Sequence, residues 1–133
     1  MRTIFFRHGR TFEDGEESYD LGPNNNMPLT REGFRQADKA AAYIKRLKSE
    51  IIHAACGPMR RHRHFTDAII ENYTTRWELD ELDELAVPPI FDYYKYHLIV
   101  TSNGILKHIH GPMKCGNYGI VEDGKVICWD VEP

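Results

Sequence analysis

The sequence predicts a single three-layer α/β domain, in which a mostly parallel central sheet carries helices on both faces and ends in a C-terminal hairpin. Two observations indicate this class. Short apolar, β-rich segments alternate with longer segments of helical periodicity, and the chain closes on two β-rich segments joined by an Asp-Gly turn. With 133 residues the chain has the length of one domain, so we assign residues 1–133 to one unit.

The predicted strands are apolar segments that end in glycine, proline or polar residues. Residues 97–102, with the sequence HLIVTS, are the clearest buried strand, and the segment at 77–79 is the shortest. The other predicted strands are residues 3–6, 51–56, 118–121 and 126–129.

Two segments have the periodicity of amphipathic helices. The first follows Thr30, a candidate N-cap, and the second covers about residues 60–73 with a polar outer face. Apolar positions expected to face the core are Phe34, Ala37, Ala41, Ile44 and Leu47 in the first helix, and Phe65, Ala68 and Ile69 in the second. Residues 12–28 have loop composition, and so long an irregular segment in a small domain favours a functional role.

Composition excludes several classes of protein. Hydrophobic residues make up 41% of the chain and charged residues 28%, which is typical of a globular domain and not of a disordered one. The net charge of −3 gives no reason to expect nucleic-acid binding, and the apolar runs are too short to span a membrane. The three cysteines form no C-x-x-C pair, so we expect a reducing, cytoplasmic environment. The close histidine pairs, 62/64 and 108/110, are expected to be solvated or hydrogen-bonded side chains.

Chemically useful side chains follow the predicted strands. Residues 7–9 (RHG) follow the first strand, residues 57–61 the second, and Asn103 the clearest one. Either Glu81 or Glu84 follows the short strand. Since ligands of α/β sheets bind at the carboxyl ends of strands, these groups predict a phosphate site, in which guanidinium groups hold the oxygens, an imidazole attacks phosphorus and a carboxyl group serves the leaving oxygen.

The chain resembles the histidine phosphatase superfamily, the phosphoglycerate-mutase-like clan. The segment IFFRHGRT at 4–11 is similar to the family's first-strand signature, and MPLTREGFRQA at 27–37 is similar to its "PLT..G..QA" segment. Looser resemblances are CGPMRR at 56–61 to "SPL.R", LDE at 82–84 to "L.E", and VTSNG at 100–104 to "VSHG". The resemblance extends over nearly the whole chain and implies the phosphoglycerate-mutase-like fold.

By this resemblance His8 is the nucleophile that becomes phosphohistidine. Arg7 and Arg61 hold the phosphoryl oxygens, with Arg60 as the alternative to Arg61 if the register shifts by one. Glu84 is the proton donor, with Glu81 as its alternative. The resemblance implies no metal and no cofactor, because arginines neutralise the phosphate.

The chain also departs from the family pattern. Asn103 stands where the family has a second histidine that contacts the phosphoryl group, and asparagine keeps a donor but carries no charge. Asp14 stands where related mutases have an asparagine, and Gly57 replaces the usual serine. A substitute histidine from position 108 or 110 is an unfavoured alternative, because both lie more than a helical turn beyond Asn103.

Three functions remain open from the sequence. The first is a metal-independent phosphohydrolase whose turnover is weakened by Asn103, and the second is a pseudophosphatase that binds a phosphorylated ligand or protein without turning it over. The third is a different use of the scaffold, such as protein interaction that does not involve phosphate. Only eighteen residues separate Glu84 from Asn103. This is too few for the long lid of the mutases, so an open site and a bulky or macromolecular phosphorylated partner are expected.

Overall fold

Six strands form one mixed sheet in the computed structural model of the chain, which describes residues 2–11, 26–47, 51–71, 76–79, 82 and 92–133. The strand order across the sheet is β3-β2-β4-β1-β5-β6. The strands are β1 (Arg2–Arg7), β2 (Ala54–Cys56), β3 (Arg76–Glu78), β4 (Leu98–Thr101), β5 (Tyr118–Glu122) and β6 (Lys125–Val131). Predictions for Asp14, Glu81, Glu84 and residues 12–25 lie outside the described residues.

The first four strands are parallel and the last two antiparallel, so the predicted mostly parallel sheet with a C-terminal hairpin is confirmed. β1 is central, pairing in parallel with β4 and antiparallel with β5. The hairpin turns at Asp123 (φ 52°) and Gly124 (φ 78°). Two successive residues of positive φ are what a two-residue hairpin turn of matching twist requires, and Asp-Gly supplies them at low steric cost.

Within the described ranges, three α-helices cover the sheet: α1 (Arg31–Leu47), α2 (Arg60–Ile70) and α3 (Asn103–Ile109). α1 and α2 pack on one face over a core that includes Phe6, Cys56 and Val100. α3 packs on the other face with Phe5 and Ile99. Neighbouring residues of β1 and β4 therefore point into different layers, as the two-residue period of a strand requires. Within the described part of the chain, no helix has the length and apolar character needed to cross a membrane.

Several predicted boundaries and faces need correction. The predicted strand at 51–56 is regular only over its last three residues, and Ile52 is 47% exposed. The second helix ends at Ile70 instead of residue 73. In α1 the buried stripe is Gly33, Ala37, Ala40 and Ile44, whereas Phe34 is 45% exposed. At its start the buried stripe is one position earlier than predicted, because Gly33 packs against the backbone of Arg10, in the segment that follows β1.

Candidate functional site

His8 follows the last residue of β1 and is buried, with 4% of its surface exposed. The parallel ladder between β1 and β4 ends at the pair Arg7 and Thr101, and the next hydrogen bond runs from the His8 backbone N–H to the Thr101 carbonyl at 3.2 Å. In the side chain, Nδ1 donates to the Gly9 carbonyl at 2.7 Å. Since a carbonyl only accepts, Nδ1 carries the proton, and Nε2 is left as the unprotonated ring nitrogen.

The surroundings of His8 keep its imidazole neutral. Burial, and after it the charge of Arg7, lower the pKa of His8 from 6.5 to about 3; the charge of Arg61 acts in the same direction, and the Gly9 hydrogen bond opposes the shift. A cation in this position would lose hydration and be repelled by both guanidinium groups. The site therefore presents an uncharged imidazole between two positive charges.

Arg7, the last residue of β1, is held by the loop that precedes β5. Its Nη1 donates to the Met113 carbonyl at 2.9 Å. Its Nε is buried and has no hydrogen-bond partner within the described ranges. A buried guanidinium donor without a partner is costly, and an oxyanion beside His8 is a group that could satisfy it.

Arg61 lies in the first turn of α2 and is buried, with 4% of its surface exposed, and its charge acts on His8. Arg60 is exposed, and its backbone N–H donates to the Asn26 side-chain oxygen at 2.7 Å. Of the two alternatives that the sequence left open, the structure brings Arg61 to His8 and leaves the Arg60 side chain on the surface.

Asn103 is the first residue of α3, and its side chain is turned toward the same loop that Arg7 contacts. Its Oδ1 accepts the Met113 backbone N–H at 2.9 Å, so Met113 binds Asn103 through its N–H and Arg7 through its carbonyl. The alternative histidines at the end of α3 are both exposed, and His110 packs edge-to-face against Trp129 at 5.3 Å between ring centroids. Neither fills the place of the missing histidine.

The expected acid, Glu84, lies outside the described residues, as does its alternative Glu81. The described residue of that motif is Leu82, which is fully buried in the core beneath α3. Its carbonyl accepts the Thr101 hydroxyl hydrogen at 2.8 Å, and the Thr101 carbonyl in turn accepts the His8 N–H. Two hydrogen bonds therefore connect the start of the acidic motif to the backbone of His8.

His62 was not among the residues predicted to lie in the site. This α2 residue is fully buried, and its ring lies edge-on to that of His8, with 5.3 Å between centroids and 67° between planes. Its ring is hydrogen-bonded, as predicted for the close histidine pairs, but it does not lie on the polar outer face of α2. The signal was present in the spacing, because residue 62 precedes the inward-facing Phe65 by three and Ile69 by seven positions.

No three His, Cys, Asp or Glu side chains gather in a way that would hold a metal ion in the described part of the chain. A cavity of about 300 Å³ lies at the opposite end of β1, between Thr3, Tyr93 and the hairpin turn. Of the predicted site residues that the structure describes, none lines it.

An α/β sheet with a buried strand-end histidine between two arginines has the fold and the site groups expected of the phosphatases that the sequence resembles. The family model described as the histidine phosphatase superfamily, branch 1, matches residues 3–88. The chain belongs to this superfamily. No curated protein matches the sequence significantly.

Solved structures share the fold over nearly the whole chain. The alpha-ribazole phosphatase from Shigella flexneri superimposes with a TM-score of 0.73 at 13% identity, covering 99% of this chain and 97% of that one. A phosphoserine phosphatase from Entamoeba histolytica, in complex with 3-phosphoglyceric acid, gives 0.67 at 11% identity with 98% and 96% covered. The protein histidine phosphatase SixA complexed with tungstate gives 0.66 at 17% identity with 92% and 88% covered. At these identities the likeness establishes the phosphoglycerate-mutase-like fold.

Proposed function

We propose that this protein is a metal-independent phosphohydrolase that works through a phosphohistidine formed on His8. The observation that carries the proposal is the state of the His8 ring. It is buried between Arg7 and Arg61, its Nδ1 is tied to the Gly9 carbonyl, and its Nε2 is left as the free nucleophile. Membership of the histidine phosphatase superfamily supports the same reaction class.

In the first step, the Nε2 lone pair of His8 attacks phosphorus in line with the departing oxygen. The N–P bond forms as the P–O bond breaks, and the imidazole becomes a cation while it carries the phosphoryl group. The Gly9 carbonyl stabilises this cation through the Nδ1 proton. Because the pKa of His8 is low, the imidazole needs no deprotonation before it attacks.

The two arginines neutralise the phosphoryl oxygens in this scheme. Arg7 already has its Nη1 on the Met113 carbonyl, so its unpartnered Nε is the donor that we assign to the phosphate. Arg61 acts from the first turn of α2, the helix end at which the helix dipole favours a negative charge. Fixed guanidinium groups supply the charge stabilisation that other phosphatases obtain from metal ions.

We assign the proton transfers to Glu84, with Glu81 as the alternative. The carboxyl group protonates the leaving oxygen, then takes a proton from the water that attacks the phosphohistidine. This second attack breaks the N–P bond, releases inorganic phosphate and restores neutral His8. The hydrogen bonds that connect Leu82, Thr101 and His8 support this assignment, because they hold the start of the acidic motif close to the end of β1, where His8 lies.

We infer that the substrate presents its phosphate on a bulky group or a macromolecule, such as a phosphoprotein. The support is the short connection of eighteen residues between Glu84 and Asn103, which leaves little chain for a lid. A site open to water also favours hydrolysis over phosphoryl transfer within a substrate, which requires a protected phosphoenzyme.

Phosphate release from an aryl phosphate, measured in the presence of EDTA, tests the reaction class. We expect steady turnover by the wild-type protein and none above background by His8→Ala. His108→Ala, which removes an exposed histidine of α3, is the matched control and should keep wild-type turnover. Stopping the reaction with alkali should yield a phosphorylated chain. The chain should lose its phosphoryl group in acid, as expected of a phosphohistidine.

A screen of phosphohistidine protein, nucleotides and sugar phosphates, with His8→Ala as the blank, tests the substrate class. Preference for the phosphoprotein supports an open site. Equal turnover by His8→Ala and the wild-type protein in the aryl phosphate assay would refute the proposed mechanism.

A second candidate function is a pseudophosphatase that holds a phosphorylated ligand without hydrolysing it. The observation that favours it is Asn103, whose oxygen is committed to the Met113 N–H and whose amide carries no charge toward the phosphate. Saturable binding of vanadate without release of phosphate from any screened substrate would establish this function in place of the first.

A further inference from the structure

A second imidazole lies inside the site, and neither the family pattern nor the proposed reaction uses it. His62 projects from the first turn of α2, is fully buried, and meets the ring of His8 edge-on at 5.3 Å between centroids. A buried polar ring so close to the proposed nucleophile calls for an account of its hydrogen bonds.

The partners of His62 fix its tautomer. The Met59 backbone N–H donates to Nδ1 at 3.4 Å, so Nδ1 carries no proton. The single proton of the neutral ring is therefore on Nε2, which donates to the Ser102 hydroxyl oxygen at 2.6 Å. Burial holds the pKa of His62 well below its usual value, and repulsion by a protonated His8 and by the Arg61 guanidinium would act in the same direction, so the ring stays neutral.

This hydrogen bond determines what Ser102 can do. Because the Ser102 oxygen accepts from His62, its own hydrogen remains available to another acceptor. Ser102 follows Thr101, and the Thr101 carbonyl accepts the His8 backbone N–H, so Ser102 and His8 lie next to each other beyond the paired ends of β4 and β1. Ser102 is 1% exposed, so bulk water does not readily compete for that hydrogen.

The backbone opposite the His62 ring, at Gly57, leaves room for the imidazole. A Cβ built on Gly57 would overlap Nδ1 of His62 and would lie 2.7 Å from its Cε1. The glycine that replaces the serine expected at position 57 therefore makes room for the imidazole at position 62. Gly57 and His62 form one structural unit.

We propose that His62 is a positioning residue that acts through Ser102: its Nε2–H bond directs the Ser102 hydroxyl hydrogen to a phosphoryl oxygen on His8. This inference rests on the proposed phosphohydrolase function. Ser102 is the group that touches the phosphate, and His62 sets its direction and supports the His8 ring from the side. The site thereby gains a donor from the residue that follows β4, and this donor compensates in part for the neutral Asn103.

Kinetics of two single variants and their combination test the proposal. His62→Phe keeps a ring of similar size but no hydrogen bond, and Ser102→Ala removes the hydroxyl. Each should lower kcat for an aryl phosphate by roughly 10- to 100-fold, the effect of one hydrogen bond to a charged group. Because both act through one contact, the double variant should be no slower than the slower single variant.

Two comparisons separate positioning from loss of fold. His62→Gln retains an N–H donor and should recover part of the activity that His62→Phe loses. His64→Phe makes the same change two residues along α2, where the ring stacks on exposed Phe34, and should leave kcat unchanged. Nitrogen NMR of the wild-type protein should show the Nε2–H tautomer for His62 and the Nδ1–H tautomer for His8.

The outcomes distinguish this inference from the proposed function. An active wild-type protein whose His62→Phe variant has the same kcat overturns the inference alone, as do fully additive losses for the two variants. A wild-type protein that neither hydrolyses aryl phosphates nor binds vanadate overturns the phosphatase function and the inference with it.

Discussion

Gly9 and Gly33 meet backbone to backbone at the base of the site. A Cβ added to Gly9 would lie 2.5 Å from the Gly33 carbonyl oxygen, and one added to Gly33 would overlap the Arg10 carbonyl. Thr30 strengthens the same junction, because its N–H donates to the Arg10 carbonyl at 2.9 Å while its hydroxyl caps the Gly33 N–H at 3.1 Å. The start of α1 is thus joined directly to the segment that follows His8.

The first prediction concerns this junction. Gly33→Ala should lower the free energy of unfolding by about 1–3 kcal/mol, because the added methyl group would overlap the Arg10 backbone and press on Leu29 Cβ. It should also reduce phosphatase activity by shifting residues 8–10. Urea unfolding and an aryl phosphate assay measure the two effects. Gly111→Ala is the control, since its nearest contact would be Trp129 Nε1 at an ordinary 3.8 Å. Equal stability of the two variants would contradict the prediction.

The second prediction concerns the unit formed by Gly57 and His62. Gly57→Ala alone should destabilise the protein by about 1–3 kcal/mol through its overlap with the imidazole. His62→Ala removes the ring, so the double variant should be more stable than the sum of the two single losses, by about 1 kcal/mol or more. A double-mutant cycle from urea unfolding measures the coupling, and simple additivity would show that the two residues do not interact.

Much of this architecture could be predicted from the sequence, because apolar runs and turn residues determine where the strands of the sheet begin and end. The strand that leads to His8 and the Asp-Gly hairpin follow from local patterns, and both are present. The buried position of His62 was missed because a histidine in a helix rich in basic residues reads as solvent-facing. Its burial depends on two partners distant in sequence, Ser102 at forty positions and the glycine backbone opposite.

The face of α1 shows a similar limit. Hydrophobicity alone favoured Phe34 as an inward residue, yet the helix turns Gly33 toward the core instead. Close backbone contact between Gly33 and the segment after β1 determines this rotation, and a glycine contributes nothing to a hydrophobic pattern. Long-range steric fit therefore settles what local periodicity leaves open.

The third prediction follows from the pKa of His8. The folded chain holds this pKa at about 3 while the unfolded chain has 6.5, so the unfolded state binds a proton first as the pH falls. The stability associated with neutral His8 is complete above pH 6.5 and is lost progressively toward pH 3, by about 2 kcal/mol between pH 7 and pH 5. Between pH 7 and pH 5, the free energy of unfolding measured in urea should fall by about 2 kcal/mol less for His8→Ala than for the wild-type protein. The same pH dependence in both proteins would contradict the burial-driven shift.

The fourth prediction separates the two neighbouring arginines of α2. Arg61→Ala should weaken vanadate binding by roughly 10- to 100-fold, because a buried guanidinium group beside His8 is lost. Arg60→Ala removes an exposed side chain one position earlier and should leave the affinity within about twofold. Isothermal calorimetry measures both. A larger effect at position 60 would reverse the assignment that burial supports.

The fifth prediction is that Asn103→His raises turnover. Asn103 now accepts the Met113 N–H through Oδ1, and a histidine could accept the same bond through Nδ1, which leaves an Nε2–H donor for a phosphoryl oxygen. Since one preorganised donor at an anionic transition state changes rates on the order of 10²- to 10³-fold, we expect kcat for an aryl phosphate to rise toward that range. Asn103→Ala, which removes the amide without adding a ring, should be slower than wild type. An unchanged Met113 amide signal in the NMR spectrum of Asn103→His would show that the contact between residue 103 and the loop persists. If kcat is nevertheless unchanged or lower, the lack of a donor at position 103 does not limit turnover.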